Sequence, residues 1–314
     1  MSVASSSTTV SPERPLAAVV TPARQRISDY AELCRPRIAL MTMISVAVGF
    51  TVASPIIFRL GSLLITIAGV VMLVAASSIL NQCLERHTDR KMGRTADRPI
   101  ASGRLPVIEA SCVAIILTFV GTVLLWQLVN PAAAMATLGT LLTYVLGYTL
   151  LKPRTSLCTT IGAIPGAMPP VIGWLAAGGE PGLEALSLFG LFFFWQFPHF
   201  LAIGWIHRKD YQGAGLRMLP SFSDDGFTTG LIALIYALGF VPIAAMPGYL
   251  GVAGDFYQLI ALGLSLCYLF HTAVFFWRRN HRNARRLLYV SLCCLPLLLI
   301  TLVLDFLRLT SVSS

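Results

Sequence analysis

The sequence predicts an all-α integral membrane protein with nine transmembrane helices and two long cytoplasmic loops. Of the 314 residues, 56% are hydrophobic and 12% are charged, and the mean hydropathy is +0.75. A soluble chain normally carries about twice that charged fraction. Two further observations support this class: the number of long apolar segments, and the uneven division of basic residues between alternate connections.

The apolar segments follow one another closely along most of the chain. A helix needs about 20 apolar residues to cross the hydrocarbon core of a bilayer. Nine segments approach or meet that length, and an odd number of spans would place the two termini on opposite sides. The segments comprise residues 38–55, 60–82, 107–129, 132–151, 157–177, 184–206, 228–247, 252–277 and 288–309.

The basic residues indicate how these spans are oriented. Lys and Arg accumulate on the cytoplasmic side of membrane proteins. The connections that share a side with the amino terminus hold 21 of the 23 Lys and Arg residues, and the other side holds Arg59 and Arg308. The amino terminus and the long loops 83–106 and 207–227 are therefore predicted to be cytoplasmic. The net charge of +9 then reflects orientation in a lipid bilayer and predicts no nucleic-acid partner.

The chain ends are predicted to lie outside the membrane domain. Residues 1–34 are rich in Ser, Thr and Pro and contain no continuous apolar core, so we expect a disordered cytoplasmic tail. Residues 35–310 form the transmembrane domain and residues 311–314 a short C-terminal tail. An organelle transit peptide is the alternative for the first segment, but Glu13, Asp29 and Glu32 argue against it. A bacterial inner membrane is thus favoured over the mitochondrial inner membrane.

Three oxygen-bearing side chains are regularly spaced at the end of the second span. Asn81, Glu85 and Asp89 are four residues apart, so they share one face if the helix continues beyond the membrane. Mg²⁺ takes oxygen ligands and commonly uses one or two carboxylates together with substrate phosphates. The alternative is a solvated helix end whose charges pair locally and anchor the span at the lipid headgroups. Asn81 favours a specific site, because a polar amide at the membrane edge usually has a partner.

Basic residues follow this stripe directly. Their guanidinium and ammonium groups suit phosphate oxygens, which a pure cation site would not require. The sequence therefore favours a site for a metal ion together with a phosphate-bearing substrate. The basic residues are Arg90, Lys91, Arg94 and Arg98.

The second long loop also begins inside a span. Gln196 and His199 lie within the sixth apolar segment, where polar side chains are expected to point into the bundle, and Pro198 is expected to kink the helix. The segment then continues into a polar run. That run contains His207, Arg208, Lys209 and Asp210. His271 in the eighth segment is more simply explained by a hydrogen bond to a neighbouring helix.

Three stretches resemble signature blocks of a known family. They are LNQCLERHTDRKMGRTADRPIASGRL, YTLLKPRTSLCTTIGAIPGAMPPVIGW and WQFPHFLAIGWIHRKDYQGAGLRMLP. They are similar to the protohaem IX farnesyltransferases, or haem O synthases, of the intramembrane aromatic prenyltransferase superfamily. The first block is typical of the superfamily, whereas WQFPHF and the DYQGAG run are typical of the haem-modifying branch. The resemblance extends from about Cys34 to the last apolar segment.

The resemblance implies both a fold and a reaction. The fold is a nine-helix bundle around a central cavity that opens to the bilayer and is capped by the two cytoplasmic loops. Farnesyl diphosphate donates its C15 chain to the 2-vinyl group of haem B, water supplies a hydroxyl group, and haem O and diphosphate are formed. Haem A synthase and terminal oxidase assembly factors are candidate protein partners. A quinone-precursor prenyltransferase acting on 4-hydroxybenzoate and, in a different class, a transporter are the alternatives.

The resemblance also assigns roles to residues. Asp89, Lys152 and Asp210 are expected to be catalytic, and His199, in its PHF context, is favoured over His207 for contact with haem. The expected Mg²⁺ ligands are Asn81, Glu85, Asp89 and Asp210. The expected diphosphate ligands are Arg94, Arg98, Lys152, Arg154 and Lys209. The expected aromatic faces toward an allylic cation are Phe193, Phe194, Trp195, Tyr144 and Tyr148.

Four positions depart from the wider pattern. Glu85 stands in the first motif and Ala214 in the second, where the superfamily has aspartates, so the expectation of two metal ions is weakened. Cys158 and Arg217 stand where Asn and Pro are common in the family. Neither of these last two departures removes a ligand named above.

Overall fold

The computed structural model describes residues 23–54, 59–152, 158–213 and 226–313. Within these ranges the chain is helical and contains no strand. The helices are α1 (Ala23–Leu33), α2 (Pro36–Val52), α3 (Leu60–Asp89), α4 (Val107–Leu128), α5 (Pro131–Leu142), α6 (Cys158–Ala176), α7 (Leu183–Ile206), α8 (Arg208–Gly213), α9 (Phe227–Tyr249), α10 (Asp255–Trp277) and α11 (His281–Ser313). A π-helical segment, Thr143–Thr149, continues α5.

The long helices have the dimensions of membrane spans. Seven of the described helical segments are long and apolar enough to cross a bilayer, and α1 and α2 supply an eighth if the pair, bent by 50°, is one span. Helix α6, which contains Pro165, Pro169 and Pro170, is not among these segments. Each predicted segment contains a helix, so the multi-pass helical class is confirmed. The count of nine spans stays a prediction.

At both ends of the chain, helices extend into residues that were predicted to be tails. Residues 23–33 form helix α1 and are not disordered, because α1 is tied to the rest of the protein by polar contacts. The buried Asp29 carboxylate accepts from Arg104 Nε at 2.9 Å, and the Tyr30 hydroxyl donates to Glu109 Oε1 at the same distance. At the other end, α11 continues to Ser313, past the expected boundary at residue 310. Residues 1–22 lie outside the described ranges.

The buried apolar residues form two main clusters. One contains Phe240, Tyr257 and Tyr268, with α7, α9, α10 and α11 as its main contributors. The other includes Leu73 and Ile79 of α3. Asn81, the first residue of the predicted metal stripe, lies two positions after Ile79 on the same helix. The cluster thus fixes the helix that carries the predicted metal stripe.

Glycines allow α2 and α6 to approach each other closely. A Cβ atom at Gly49 would overlap the carbonyl oxygen of Pro170, and a Cβ atom at Gly173 would overlap the carbonyl oxygen of Val46. Small residues at helix interfaces permit such backbone approach in membranes, where association depends on packing. The two glycines therefore set the distance between α2 and α6.

Substituting Gly173 by alanine is expected to destabilise the protein by about 3 kcal/mol, the upper end of the usual range for overpacking, because the obstructing atom belongs to the backbone. Thermal unfolding in detergent measures the effect. Gly139→Ala is the matched control, since Gly139 also lies in a helix but a Cβ there would meet no atom within 4 Å. That control is expected to leave the melting temperature unchanged or raise it slightly. Equal melting temperatures for the two variants would contradict the assignment of the α2–α6 contact.

Candidate functional site

The residues Asn81, Glu85 and Asp89, called here the α3 stripe, lie on one face of a single unbroken helix. Asn81 and Asp89 are each only 1% exposed, and the Glu85 side chain is 10% exposed. Charges that merely anchored a helix end at the headgroups would remain solvated. The stripe instead faces the interior of the protein, which is the setting expected of a binding site.

Each carboxylate of the α3 stripe has a basic partner. Lys152 Nζ lies 2.9 Å from Glu85 Oε1, and Arg98 Nη1 lies 2.8 Å from Asp89 Oδ2. Among the described residues, the second Asp89 oxygen, Oδ1, is buried without a hydrogen-bond partner. The pairs join two predicted metal ligands to two predicted diphosphate ligands. The fold therefore brings together residues that the sequence places up to 67 positions apart.

Asn81 has two hydrogen-bond partners among the described residues, Arg35 and Thr149, and neither was predicted as a site residue. Arg35 Nη2 lies 3.5 Å from Asn81 Oδ1, and Asn81 Nδ2 donates to Thr149 Oγ1 at 3.1 Å. Arg35 occupies the left-handed region, with φ 49° and ψ 68°, and it is the only residue other than glycine that does so in the described part of the chain. It precedes Pro36, and a proline disfavours the α conformation in the residue before it. In the sequence, only the Arg35–Pro36 pair between α1 and α2 indicated an unusual backbone conformation at Arg35.

The π-helical segment supplies the other residue missed from the sequence, Thr149. Its hydroxyl donates to the Tyr144 carbonyl, five residues earlier, at 3.0 Å. Tyr144 and Tyr148 stack with ring centroids 5.4 Å apart, and Lys152 Nζ lies 5.6 Å from the Tyr148 centroid. Single π-helical turns occur frequently at functional sites. Here the wider turn directs Thr149 and Lys152 toward the α3 stripe.

The environment of Lys152 favours its charged form. Burial lowers the pKa of the ammonium group, but the oxygens of Tyr148 and Glu85 outweigh burial and raise the Lys152 pKa above its ordinary value. The group is therefore a cation at every physiological pH. A permanent positive charge is suited to a leaving group that gains negative charge.

The loop after α3 folds back onto the end of that helix. Thr95 Oγ1 donates to the Asp89 carbonyl at 2.9 Å, and Ile100 and Leu105 are buried. This packing returns Arg98 to Asp89, nine residues earlier in the chain. Arg94 lies in the same loop and is exposed.

Asp210, the predicted metal ligand from the second long loop, does not form one cluster with the carboxylates of the α3 stripe. Asp210 and Lys209 lie exposed on the short helix α8, and His207 Nδ1 lies 3.5 Å from Asp210 Oδ2. Within the described ranges, no group of three or more His, Cys, Asp or Glu side chains is arranged to hold a metal ion. Helix α7 ends at Ile206, so α8 is a separate element whose carboxylate pairs locally. Arg154, Ala214 and Arg217 lie outside the described residues.

His199 and Gln196 point into the bundle, as predicted. Gln196 Nε2 donates to the Ala163 carbonyl at 2.7 Å, and His199 Nδ1 lies 2.7 Å from Ser291 Oγ on α11. The imidazole ring stacks on Trp195, with centroids 4.8 Å apart. Helix α7 continues through Pro198 without a break. His199 is thus a buried histidine held between two helices.

Two smaller predictions concern His271 and the phenylalanines of α7. His271 bonds the Cys267 carbonyl of its own helix at 2.9 Å, so the expected bond to a neighbouring helix is wrong. The side chain lies at the surface of α10, where the carbonyl four residues earlier is the accessible acceptor. Phe193 and Phe194 pack against Tyr236 of α9, and their role beside an allylic cation stays a prediction.

Comparison with known proteins adds to this geometry. A family model described as the UbiA prenyltransferase family matches residues 42–300. The chain is 39% identical over 286 residues to a protein from Solibacter usitatus named protoheme IX farnesyltransferase, and the match covers 88% of this chain and 98% of that protein.

Two solved structures share the fold at 17% sequence identity. One, described as digeranylgeranylglyceryl phosphate synthase, has a TM-score of 0.78 and the match covers 90% of this chain and 99% of that one. The other is a UbiA homolog from Archaeoglobus fulgidus bound to DMAPP and Mg²⁺, with a TM-score of 0.65 and coverage of 88% and 99%. At this identity the likeness concerns the helical fold.

Proposed function

This chain belongs to the UbiA prenyltransferase family, and from that premise we propose that it transfers the farnesyl group of farnesyl diphosphate to the 2-vinyl group of haem B. Water adds a hydroxyl group, and haem O and diphosphate are the products. The name protoheme IX farnesyltransferase of relatives such as the one from Solibacter usitatus supports the choice of donor and acceptor. The WQFPHF block supports haem over 4-hydroxybenzoate.

The one-to-one pairing of acids and bases along the α3 stripe is the observation that carries the proposal. Glu85 pairs with Lys152 and Asp89 pairs with Arg98 inside the protein. The acids proposed to bind the metal ion and the bases proposed to bind diphosphate therefore neutralise each other before either ligand arrives. Buried charges are tolerated when paired, whereas a lone buried charge is costly. When Mg²⁺ and diphosphate bind, the carboxylates can pair with the metal ion and the bases with diphosphate, so no buried charge is left without a partner.

The stripe also fits a divalent metal ion. Asn81, Glu85 and Asp89 offer the hard oxygen donors that Mg²⁺ prefers, and the buried Asp89 Oδ1 accepts no hydrogen bond from the residues that the structure describes. The solved relative that holds DMAPP and Mg²⁺ supports the same choice of metal. When bound, Mg²⁺ would neutralise diphosphate charge and so make diphosphate a better leaving group. Asp210 would join these ligands only if α8 moved toward the stripe.

The basic residues have a defined task in the transfer. The bond between farnesyl C1 and the diphosphate oxygen breaks, and its electron pair stays on diphosphate. Lys152 and Arg98 donate hydrogen bonds to that oxygen as its charge grows, in place of their bonds to Glu85 and Asp89. Arg35 is positioned beside Asn81 to assist them. Arg94, Arg154 and Lys209 are proposed as further contacts from the loops.

The remaining steps occur on the porphyrin. The π electrons of the vinyl group form the new carbon–carbon bond to farnesyl C1, and the cation left on the vinyl side chain takes the oxygen of water, which releases one proton. Tyr144 and Tyr148 lie beside Lys152, and their ring faces can stabilise the allylic cation before it is captured. His199 and His207 are proposed to contact haem. His199, being buried, is the better placed of the two to meet a largely apolar porphyrin.

We propose further that nine helices cross a bacterial inner membrane around a central cavity, with the amino terminus and both long loops in the cytoplasm. The division of Lys and Arg between the two sides supports this orientation. In this arrangement α6, packed closely against α2, is the fifth span in chain order and brings the eight spans counted above to nine. Haem A synthase and terminal oxidase assembly factors remain proposed partners.

A direct product assay tests the function. Purified protein is supplied with Mg²⁺, farnesyl diphosphate and reduced haem B, and the products are identified by mass. We expect haem O, no product after removal of divalent ions by EDTA, and no prenylated product when 4-hydroxybenzoate replaces haem. A folded preparation that prenylates 4-hydroxybenzoate but not haem would contradict the proposal.

A further inference from the structure

The hydroxyl group of Ser291 determines which nitrogen of His199 carries a proton. Ser291 Oγ lies 2.6 Å from the Leu288 carbonyl oxygen, and His199 Nδ1 lies 2.7 Å from the same Oγ. Two oxygens approach to 2.6 Å only when a proton lies between them, and a carbonyl oxygen has none to give. The single hydroxyl proton of Ser291 is therefore donated to Leu288. Ser291 can then only accept from His199.

This chain of hydrogen bonds fixes the tautomer of the imidazole. Neutral histidine has one N–H donor and one nitrogen with a free lone pair. Because Nδ1 must donate to Ser291, the lone pair is on Nε2. Nε2 makes no hydrogen bond with any residue in the described ranges, and His199 retains 8% of its surface exposed. The described part of the chain thus leaves the imidazole lone pair on Nε2 without a partner.

The ring is also held in orientation by its neighbours. Trp195, on which the imidazole stacks, donates from Nε1 to the Ser291 carbonyl at 2.9 Å. The Tyr268 hydroxyl donates to the Trp195 carbonyl at 2.8 Å. Ser291 and Tyr268 are both fully buried. Ser291 of α11 therefore contacts both His199 and Trp195.

We propose that Ser291 is a positioning residue that directs the Nε2 lone pair of His199 to the iron of the acceptor porphyrin. The inference rests on the proposed function, since haem is its acceptor. A neutral imidazole is the commonest metal ligand among side chains. A hydrogen bond from the second ring nitrogen fixes the orientation of such a ligand and increases its basicity, and removal of the acceptor typically weakens metal binding about 10–100-fold.

Haem titration of the purified protein tests this role. Ser291→Ala is expected to weaken ferric haem binding about 10-fold or more and to reduce the spectroscopic signal of imidazole-bound iron, while the KM for farnesyl diphosphate is unchanged. Ser291→Thr retains a hydroxyl group and is expected to retain both properties. Ser265→Ala is the matched control, because the buried Ser265 hydroxyl also donates to a carbonyl three residues earlier but contacts no histidine.

Nitrogen-15 spectra of histidine-labelled protein without haem provide a readout independent of activity. The His199 resonances are expected to show a protonated Nδ1 and an unprotonated Nε2 in the wild type. A protonated Nε2, or a Ser291→Ala protein with unchanged haem affinity and spectrum, would overturn the inference. A wild-type protein that binds haem through imidazole but forms no haem O would overturn the proposed function instead.

Discussion

Replacing Asp89 with asparagine is expected to reduce farnesyl transfer at least about 100-fold, the scale of losing one electrostatic contact to a developing charge, while haem still binds. The substitution keeps the size of the side chain and removes its charge. Asp89 is the most buried acid of the α3 stripe and the one with an oxygen left unpaired among the described residues. Its loss would remove a ligand from the metal and leave Arg98 without its partner.

Asp97→Asn is the control for Asp89, because Asp97 is an exposed acid in the following loop. Its activity is expected to match the wild type. The readouts are the rate of haem O formation and the dependence of that rate on Mg²⁺ concentration. If Asp89→Asn retained wild-type activity, Asp89 would have no role in the metal site.

Replacing Lys152 with methionine is expected to affect both activity and stability. The kcat/KM for farnesyl diphosphate should fall about 100-fold, because a fixed cation near the leaving oxygen is lost. The free energy of unfolding should fall by about 3–5 kcal/mol, the usual effect of breaking a buried ion pair, because Glu85 is left as a lone charge. The stability difference should be constant from about pH 6 to about pH 9. Because the Lys152 pKa is raised in the folded protein, its charge stabilises the fold fully at any pH below the ordinary lysine pKa of about 10.4. This stabilisation is lost only as the pH rises through the pKa of Lys152 in the folded protein.

The double variant Glu85→Gln/Lys152→Met separates the two effects. Removing both charges eliminates the lone buried carboxylate, so most of the stability is expected to return. Activity should stay low, because neither the metal ligand nor the cation is restored. A double variant as unstable as Lys152→Met would show that the two side chains do not form the pair seen here.

The sequence was sufficient to predict the features that depend on local periodicity. Spacing by four residues placed Asn81, Glu85 and Asp89 on one face, and the structure shows that face buried along α3. The cost of polar groups in a membrane correctly predicted that Gln196 and His199 point inward. These conclusions require only helix geometry and the chemistry of a bilayer.

Contacts between distant residues required the fold. Nothing in the sequence connects Lys152 with Glu85 or His199 with Ser291, because these pairs lie 67 and 92 positions apart. Arg35 was missed because its role depends on a left-handed backbone conformation at the α1–α2 junction. Helix α1 was mistaken for disordered chain because contacts such as Arg104–Asp29 form only after folding.

The assignment of the metal to the α3 stripe is tested most directly by anomalous scattering from Mn²⁺. Crystals containing Mn²⁺ and a non-hydrolysable farnesyl diphosphate analogue are expected to show the manganese peak beside Asn81, Glu85 and Asp89, with Lys152 and Arg98 turned toward the diphosphate. A manganese peak beside His207 and Asp210, with none at the α3 stripe and with the Glu85–Lys152 pair intact, would contradict the assignment.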